Sequence, residues 1–327
     1  MKTFLKKLIA VLAIVVLILS AILLLIPTDK NAYLCAYNQK LDILQNTQAP
    51  RVIFIGPSTL AFGLDSKQIS DSIGIPVIDM GLHIGIGARY CLEDYKTYIR
   101  KGDIVVISPS YEADFSGGGY GNKDALTDLM LATNWRHFRS LGFRQIWAVV
   151  EGIPFMCYRN LLRLIKAPIH GLNTSADNVE FKYVASGFNE FGDEVSHWEI
   201  PLHIGVDVKR PSEPLSRELQ PVTVDEDFIL YLKAVVSEYE QKGATVLLMP
   251  EIHSETDCFK DNPEAIEAVM NQQGLYFMTS PRNLMFDDAL GYGEWGSSHL
   301  NREGVTIASS RISSLLKRSI SPIAPEE

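Results

Sequence analysis

The chain has 327 residues, 46% of them hydrophobic, with 39 acidic side chains against 30 basic ones and a formal net charge of −9. That length and apolar content support a sizeable globular core. The acidic balance, with no basic stripe interleaved with aromatics, excludes nucleic acid as a partner because like charge repels a phosphate backbone.

Residues 8–26 form a run without charge, apolar throughout except for Ser20, preceded by Lys2, Lys6 and Lys7 and closed by Pro27. The run is longer than the apolar region of a secretory signal peptide and lacks a small-x-small cleavage site, so residues 1–27 read as a retained signal anchor long enough to span a bilayer. With the lysines on its amino side, the positive-inside rule predicts a single-pass protein of the cell membrane whose remaining residues are extracytoplasmic. Residues 28–50 place Tyr33, Tyr37, Leu41 and Leu44 at near-helical spacing and read as a juxtamembrane helix or stalk. Four cysteines, Cys35, Cys91, Cys157 and Cys258, have no C-x-x-C pair and are too few to staple a domain of this size, so the core carries the stability.

From residue 51 to 327 strand and helix patterns alternate. Strands are predicted at 52–55, 76–80, 103–108, 245–249 and 275–279, and helices at 66–73, 88–100, 228–242, 263–273 and 303–317. This alternation predicts a doubly wound α/β domain with a mainly parallel five-stranded sheet. Residues 113–221 break the rhythm. Helical stretches at 126–132, 143–151 and 155–165 are followed by a polar, irregular segment at 173–205. An insertion this long should form its own cap over the carboxyl edge of the sheet.

The chemistry gathers at predicted strand ends. Residues 51–63, RVIFIGPSTLAFG, run from a buried-strand pattern into a Gly-Pro turn that presents Ser58 at the carboxyl end of the strand, where ligands of open α/β sheets bind. Ser58 or Thr59 is equally suited to capping the helix that follows. Residues 78–87, IDMGLHIGIG, end a second strand at Gly81, whose N–H suits an oxyanion or merely a tight turn. Residues 105–112, VVISPSYE, end a third strand near Tyr111. Residues 294–304, EWGSSHLNREG, place His299 on a loop before the last helix, with Asn301 as its N-cap. The seven histidines show no H-x-x-x-H or similar ligand spacing, so no metal or cofactor is expected.

Gly-x-Ser after the first strand, Gly81 after the second, a polar end to the third, and His-Leu-Asn-x-x-Gly at residues 299–304 resemble the SGNH/GDSL hydrolase superfamily. The likeness is closest to its membrane-anchored bacterial branch, which includes acyl- and acetyl-transfer proteins of cell-envelope polysaccharides and teichoic acids. It covers residues 50–115 and 225–320 and not the insertion. It implies a flavodoxin-like sheet and a serine-dependent ester hydrolase or acyl (acetyl) transferase acting on an envelope glycan. A membrane-bound acyltransferase is then a candidate partner. Carried over, Ser58 is the nucleophile, Gly81 the oxyanion glycine and His299 the general base. Two family positions differ here. The third-block Asn is absent, leaving Asn189 in the insertion or Tyr111 as the side-chain oxyanion donor. The acid three residues before the histidine is replaced by Gly296, leaving Glu294, or Asp287 or Asp288 behind it, to complete a triad. These losses also admit a catalytically degenerate SGNH fold that binds a glycan or an acyltransferase without chemistry of its own.

Overall fold

Short β-branched runs form the sheet, as suits strands covered on both faces. In the computed structural model, which describes residues 2–25, 29–170, 183–199, 223–255, 262–291 and 299–320, these are β1 (Val52–Ile55), β2 (Val77–Asp79), β3 (Ile104–Ile107) and β4 (Thr245–Leu248). They pair in parallel in the order β2-β1-β3-β4. Period-two alternation then sorts the side chains onto two faces. Ile53, Ile55, Ile78, Val105 and Ile107 pack with α2 (Ala36–Asn46), α5 (Ala88–Tyr95) and α8 (Glu226–Gln241). Val52, Phe54, Val77, Ile104 and Val106 pack with α4 (Ser66–Ile73) and α10 (Arg302–Ile320). The sheet is thus covered by helices on both sides. Local chemistry fixes the helix ends. Asp65 Oδ1 accepts from the Gln68 N–H at 2.9 Å to start α4, and Gly74, at φ 73°, ends it in the left-handed region that glycine tolerates.

The expected fifth strand is not formed. Residues 275–279 contribute a single parallel bridge, Phe277 to Leu248, with the Met278 N–H donating to the Leu248 carbonyl at 2.7 Å. Pro281 opens a 3₁₀ turn (Pro281–Leu284) soon afterwards and redirects the chain before more ladder can form. A separate two-stranded parallel pair, β5 (His253–Ser254) with β6 (Met285–Phe286), was not foreseen. The helix α9 (Pro263–Gln272) lies between them in sequence.

Residues 36–46 are helical as expected, but they are not a stalk. Tyr37, Lys40 and Leu44 of α2 are fully buried in the domain. The two helices expected at 143–151 and 155–165 are one, α7 (Phe143–His170), continuous through Gly152 and Pro154. Packing against α6 (Lys123–Ala132) overrides the break, and a Cβ on Gly152 would lie 2.1 Å from Thr127 Oγ1, so glycine permits that close approach. The amino-terminal helix α1 (Lys2–Leu25) includes a stretch, Lys2–Ile22, long and apolar enough to cross a membrane.

Candidate active site

β1 lies between β2 and β3, so its carboxyl end is the switch point at which open parallel sheets bind ligands. Gly56 makes the turn there. A Cβ at that position would stand 2.4 Å from the Ser108 carbonyl oxygen and 2.7 Å from Leu60 Cδ1, so no larger residue fits between the ends of β1 and β3. Pro57 precedes the single-turn α3 (Ser58–Ala61), which lifts Ser58 to a half-buried position at the sheet edge.

His299 reaches this serine from the far end of the chain. Its Nε2 is 3.0 Å from Ser58 Oγ, across 241 residues of sequence. Asn301 caps α10, accepting from the Gly304 N–H at 2.9 Å and donating to the Ala289 carbonyl at 3.2 Å. That anchors the residue two places after the histidine. Phe62 supports the imidazole by stacking on it, with centroids 4.2 Å apart and planes 11° from parallel. Burial, reinforced by the neighbouring imidazoles of His197 and His83, pushes His299 down to about 4. The ring is therefore neutral at physiological pH and able to accept a proton.

Its other nitrogen, Nδ1, lies 3.2 Å from Tyr183 Oη. When Nε2 accepts from the serine hydroxyl, Nδ1 carries the hydrogen and donates it to the tyrosine oxygen, which fixes tautomer and ring direction. Tyr183 belongs to the described part of the insertion, residues 183–199. The Glu194 N–H donates to the Ala61 carbonyl at 2.8 Å, which ties this segment to the serine turn. His197 ties it to the histidine loop, with Nε2 donating to the Leu300 carbonyl at 2.9 Å and Nδ1 paired with Glu194 Oε2 at 2.7 Å. A buried cluster holds the same segment from below. Lys40 Nζ donates to the Asp79 carbonyl at 2.9 Å and to the Gly192 carbonyl, and stands 3.7 Å from Asp79 Oδ2. Asp193 accepts from both the backbone and the hydroxyl of Ser66, at 2.9 and 2.6 Å. Burial holds Asp79 and Asp193 above the ordinary carboxylate range and Lys40 below its own.

Other residues singled out from sequence lie differently. Gly81 abuts the serine turn, where a Cβ would meet Pro57 O at 2.8 Å and Leu60 Cβ at 2.6 Å, but its N–H donates to Asp79 Oδ1 at 2.7 Å and does not face the serine as an open donor. Asn189 is committed to an Asx turn. Its Oδ1 accepts from the N–H groups of Phe191 and Asp193 at 2.9 Å each, and its Nδ2 donates to Asp193 Oδ2 at 3.1 Å, so its amide serves the loop and not an oxyanion. The ring of Tyr111 is a core element, packed on Phe115 and edge-on to His253, while its N–H donates to Glu251 Oε2 at 2.7 Å. Of the three candidate acids, Glu294 and the side chain of Asp288 lie outside the described residues. Asp287 is exposed and accepts from the Ala289 N–H at 2.8 Å, capping a turn. Among the described residues, the hydrogen-bond partners of His299 are Ser58 and Tyr183.

Sequence reasoning missed Tyr183, Glu194, His197 and Phe62. The first three follow no periodic pattern. The one available signal was the H-x-x-E spacing read in reverse, Glu194 to His197, beside the glycine-flanked residues 187–193 already singled out. No protein-family model matches the chain, and comparison with curated proteins and with solved structures likewise returns no match.

Proposed function

We propose that this chain is an SGNH-type serine hydrolase or acyl (acetyl) transferase, tethered to the cell membrane by α1 and acting on esters of an envelope glycan on the extracytoplasmic side. The observation that carries the reading is the 3.0 Å approach of His299 Nε2 to Ser58 Oγ at the switch point of a parallel sheet. In this mechanism Ser58 Oγ attacks the ester carbonyl while His299 takes its proton. The tetrahedral intermediate collapses with the proton returned to the departing alkoxide, and an acyl group remains on Ser58. Water or a sugar hydroxyl, deprotonated by His299, then attacks the acyl carbon, and the second tetrahedral intermediate expels Ser58 Oγ, which takes that proton back from His299; water completes hydrolysis and the sugar completes transfer. The Ser58 N–H, at the start of α3, is the backbone donor assigned to the oxyanion. Tyr183 takes the orienting place that a carboxylate holds in most triads.

A second reading, a catalytically degenerate SGNH fold that binds a glycan or a membrane acyltransferase, is favoured by the engagement of the Gly81 N–H by Asp79 and of the Asn189 amide by its own turn. A fluorophosphonate probe separates the two, because it marks an activated serine whatever the natural substrate. Labelling of the wild type that disappears in both Ser58→Ala and His299→Ala supports the enzyme; an unlabelled, folded wild type supports the binding protein.

A further inference from the structure

The exposed face of α7 is out of keeping with an acidic, water-facing surface. Phe143, Trp147, Val150, Tyr158, Leu161 and Ile165 recur at spacings of three, four and seven or eight residues, so they share one stripe along the helix. All six are exposed, Phe143 at 86% and Trp147 at 60%. The opposite face is spent on the fold, with Val149 and Met156 buried and α6 packed along it, while Cys157, beside the stripe, is covered by α1. Apolar stripes of this length are rare on the free surface of a soluble domain and mark an interaction surface.

Two observations choose the occupant. The first is position. α7 touches the second half of α1, with the Leu19 carbonyl 3.6 Å from Cys157 Sγ halfway along α7 and seven residues short of Ile26, the last residue of the apolar run. Seven helical residues rise about 10 Å, the depth to which an interfacial helix sinks its apolar face below the lipid headgroups. The second is charge. The protein as a whole carries −9, yet α7 holds Arg144, Arg159, Arg163 and Lys166 against a single acid, Glu151. A basic, amphipathic helix with tryptophan and tyrosine in its apolar stripe has the composition of a segment lying in an anionic membrane interface.

We propose that α7 is a monotopic interfacial helix, its stripe sunk between the headgroups of the same bilayer that α1 crosses, so that the domain is held at two points. This rests on the reading of α1 as a membrane anchor. The full chain is reconstituted into vesicles of phosphatidylcholine with a minor share of phosphatidylglycerol, prepared with and without brominated acyl chains. Bromine quenches indole on contact, and the difference between wild type and Trp147→Phe isolates the emission of Trp147. The expected result is loss of about half of that emission or more in brominated vesicles, as for an indole at interfacial depth, with the thermal melt unchanged by the conservative substitution. Full Trp147 emission in chain that resists alkaline carbonate extraction would overturn the interfacial helix and leave the anchor standing. Release by carbonate would overturn both. Unquenched Trp147 together with cross-linking between copies through Trp147→Cys, above the level of the parent cysteines, would assign the stripe to a second copy of the chain instead.

Discussion

The protonation of His299 sets a pH profile that an ordinary histidine does not give. A free imidazole titrates near 6.5, whereas His299 is lowered to about 4 by burial and by the imidazoles of His197 and His83. In the proposed mechanism the base is the neutral form, so a downward shift would extend its working range toward acid. At pH 5.5 a group of pKa 4 is about 97% neutral and one of pKa 6.5 only about 9% neutral, roughly a tenfold difference in competent enzyme. The assay is the second-order rate of fluorophosphonate labelling at Ser58 from pH 4 to 8, with Ser58→Ala as the blank. The rate should be flat from pH 8 down to about 5.5 and fall with a midpoint below about 5. A midpoint at 6.5 or above would refute the argument, since the site would then be wet enough to solvate an imidazolium. The same shift carries a stability signature of defined sign. Because the folded-state pKa lies below the unfolded one, the unfolded chain binds the proton more tightly, and this contribution to stability is lost as pH falls from about 6.5 toward 4.

Tyr183→Phe removes the partner of His299 Nδ1 and should slow labelling about fivefold, the worth of one net hydrogen bond of about 1 kcal/mol, without changing the urea midpoint; an unchanged rate would return the orienting role to one of the acids. Lys40→Met leaves Asp79 and Asp193 buried without their cation and should destabilise the fold by about 3–5 kcal/mol in urea titration, partly recovered by adding Asp79→Asn; a loss under about 1 kcal/mol would mean that water reaches the cluster. Gly192 sits at φ 94° with its would-be Cβ 2.1 Å from the Asp79 carbonyl oxygen, so Gly192→Ala should displace residues 187–197 and reduce labelling together with the melting temperature. Retention of both would show that the loop is not needed to hold Tyr183 at the ring.

What could be read in advance follows from where the physical signal lies. β1 and β3 are buried on both faces, so their β-branched runs were unambiguous, and the turn after β1 had to be glycine whatever lay beyond it. Ser58 and His299 were legible because each stands at the boundary of a periodic element. The segment at 275–279 has the same composition as a strand, but Pro281 acts just beyond the window in which composition is read. Gly152 and Pro154 are breakers by propensity, and the contact with Thr127 that outweighs them is tertiary. Lys40 and Arg51 illustrate the remaining difficulty. Charge in a sequence predicts exposure, yet both are fully buried, Lys40 on Asp79 and Gly192, and Arg51 on Asp103 at 3.0 Å and on the carbonyls of Thr47 and Tyr98 at 2.8 Å each. The partners lie up to 152 residues away, beyond any local pattern. The insertion escaped for a related reason, since Tyr183 and His197 owe their position to hydrogen bonds made at the site itself.

Tyr33 imposes a limit on the working height of the serine. Its ring packs against Tyr183 and Phe62 with centroids 5.5 and 6.4 Å away, and its hydroxyl donates to the Leu82 carbonyl at 2.6 Å, so it moves with the site. It also follows Ile26, the last residue of the apolar run, by only seven positions. Seven residues drawn out straight cover at most about 25 Å. On the reading proposed above, with α1 in the bilayer, the serine would work within a shell about one small protein deep above the lipid. For the proposed ester-directed enzyme, an ester deep in the wall would be out of range, and an ester carried on lipid or on a newly exported chain still at the membrane surface would pass through it.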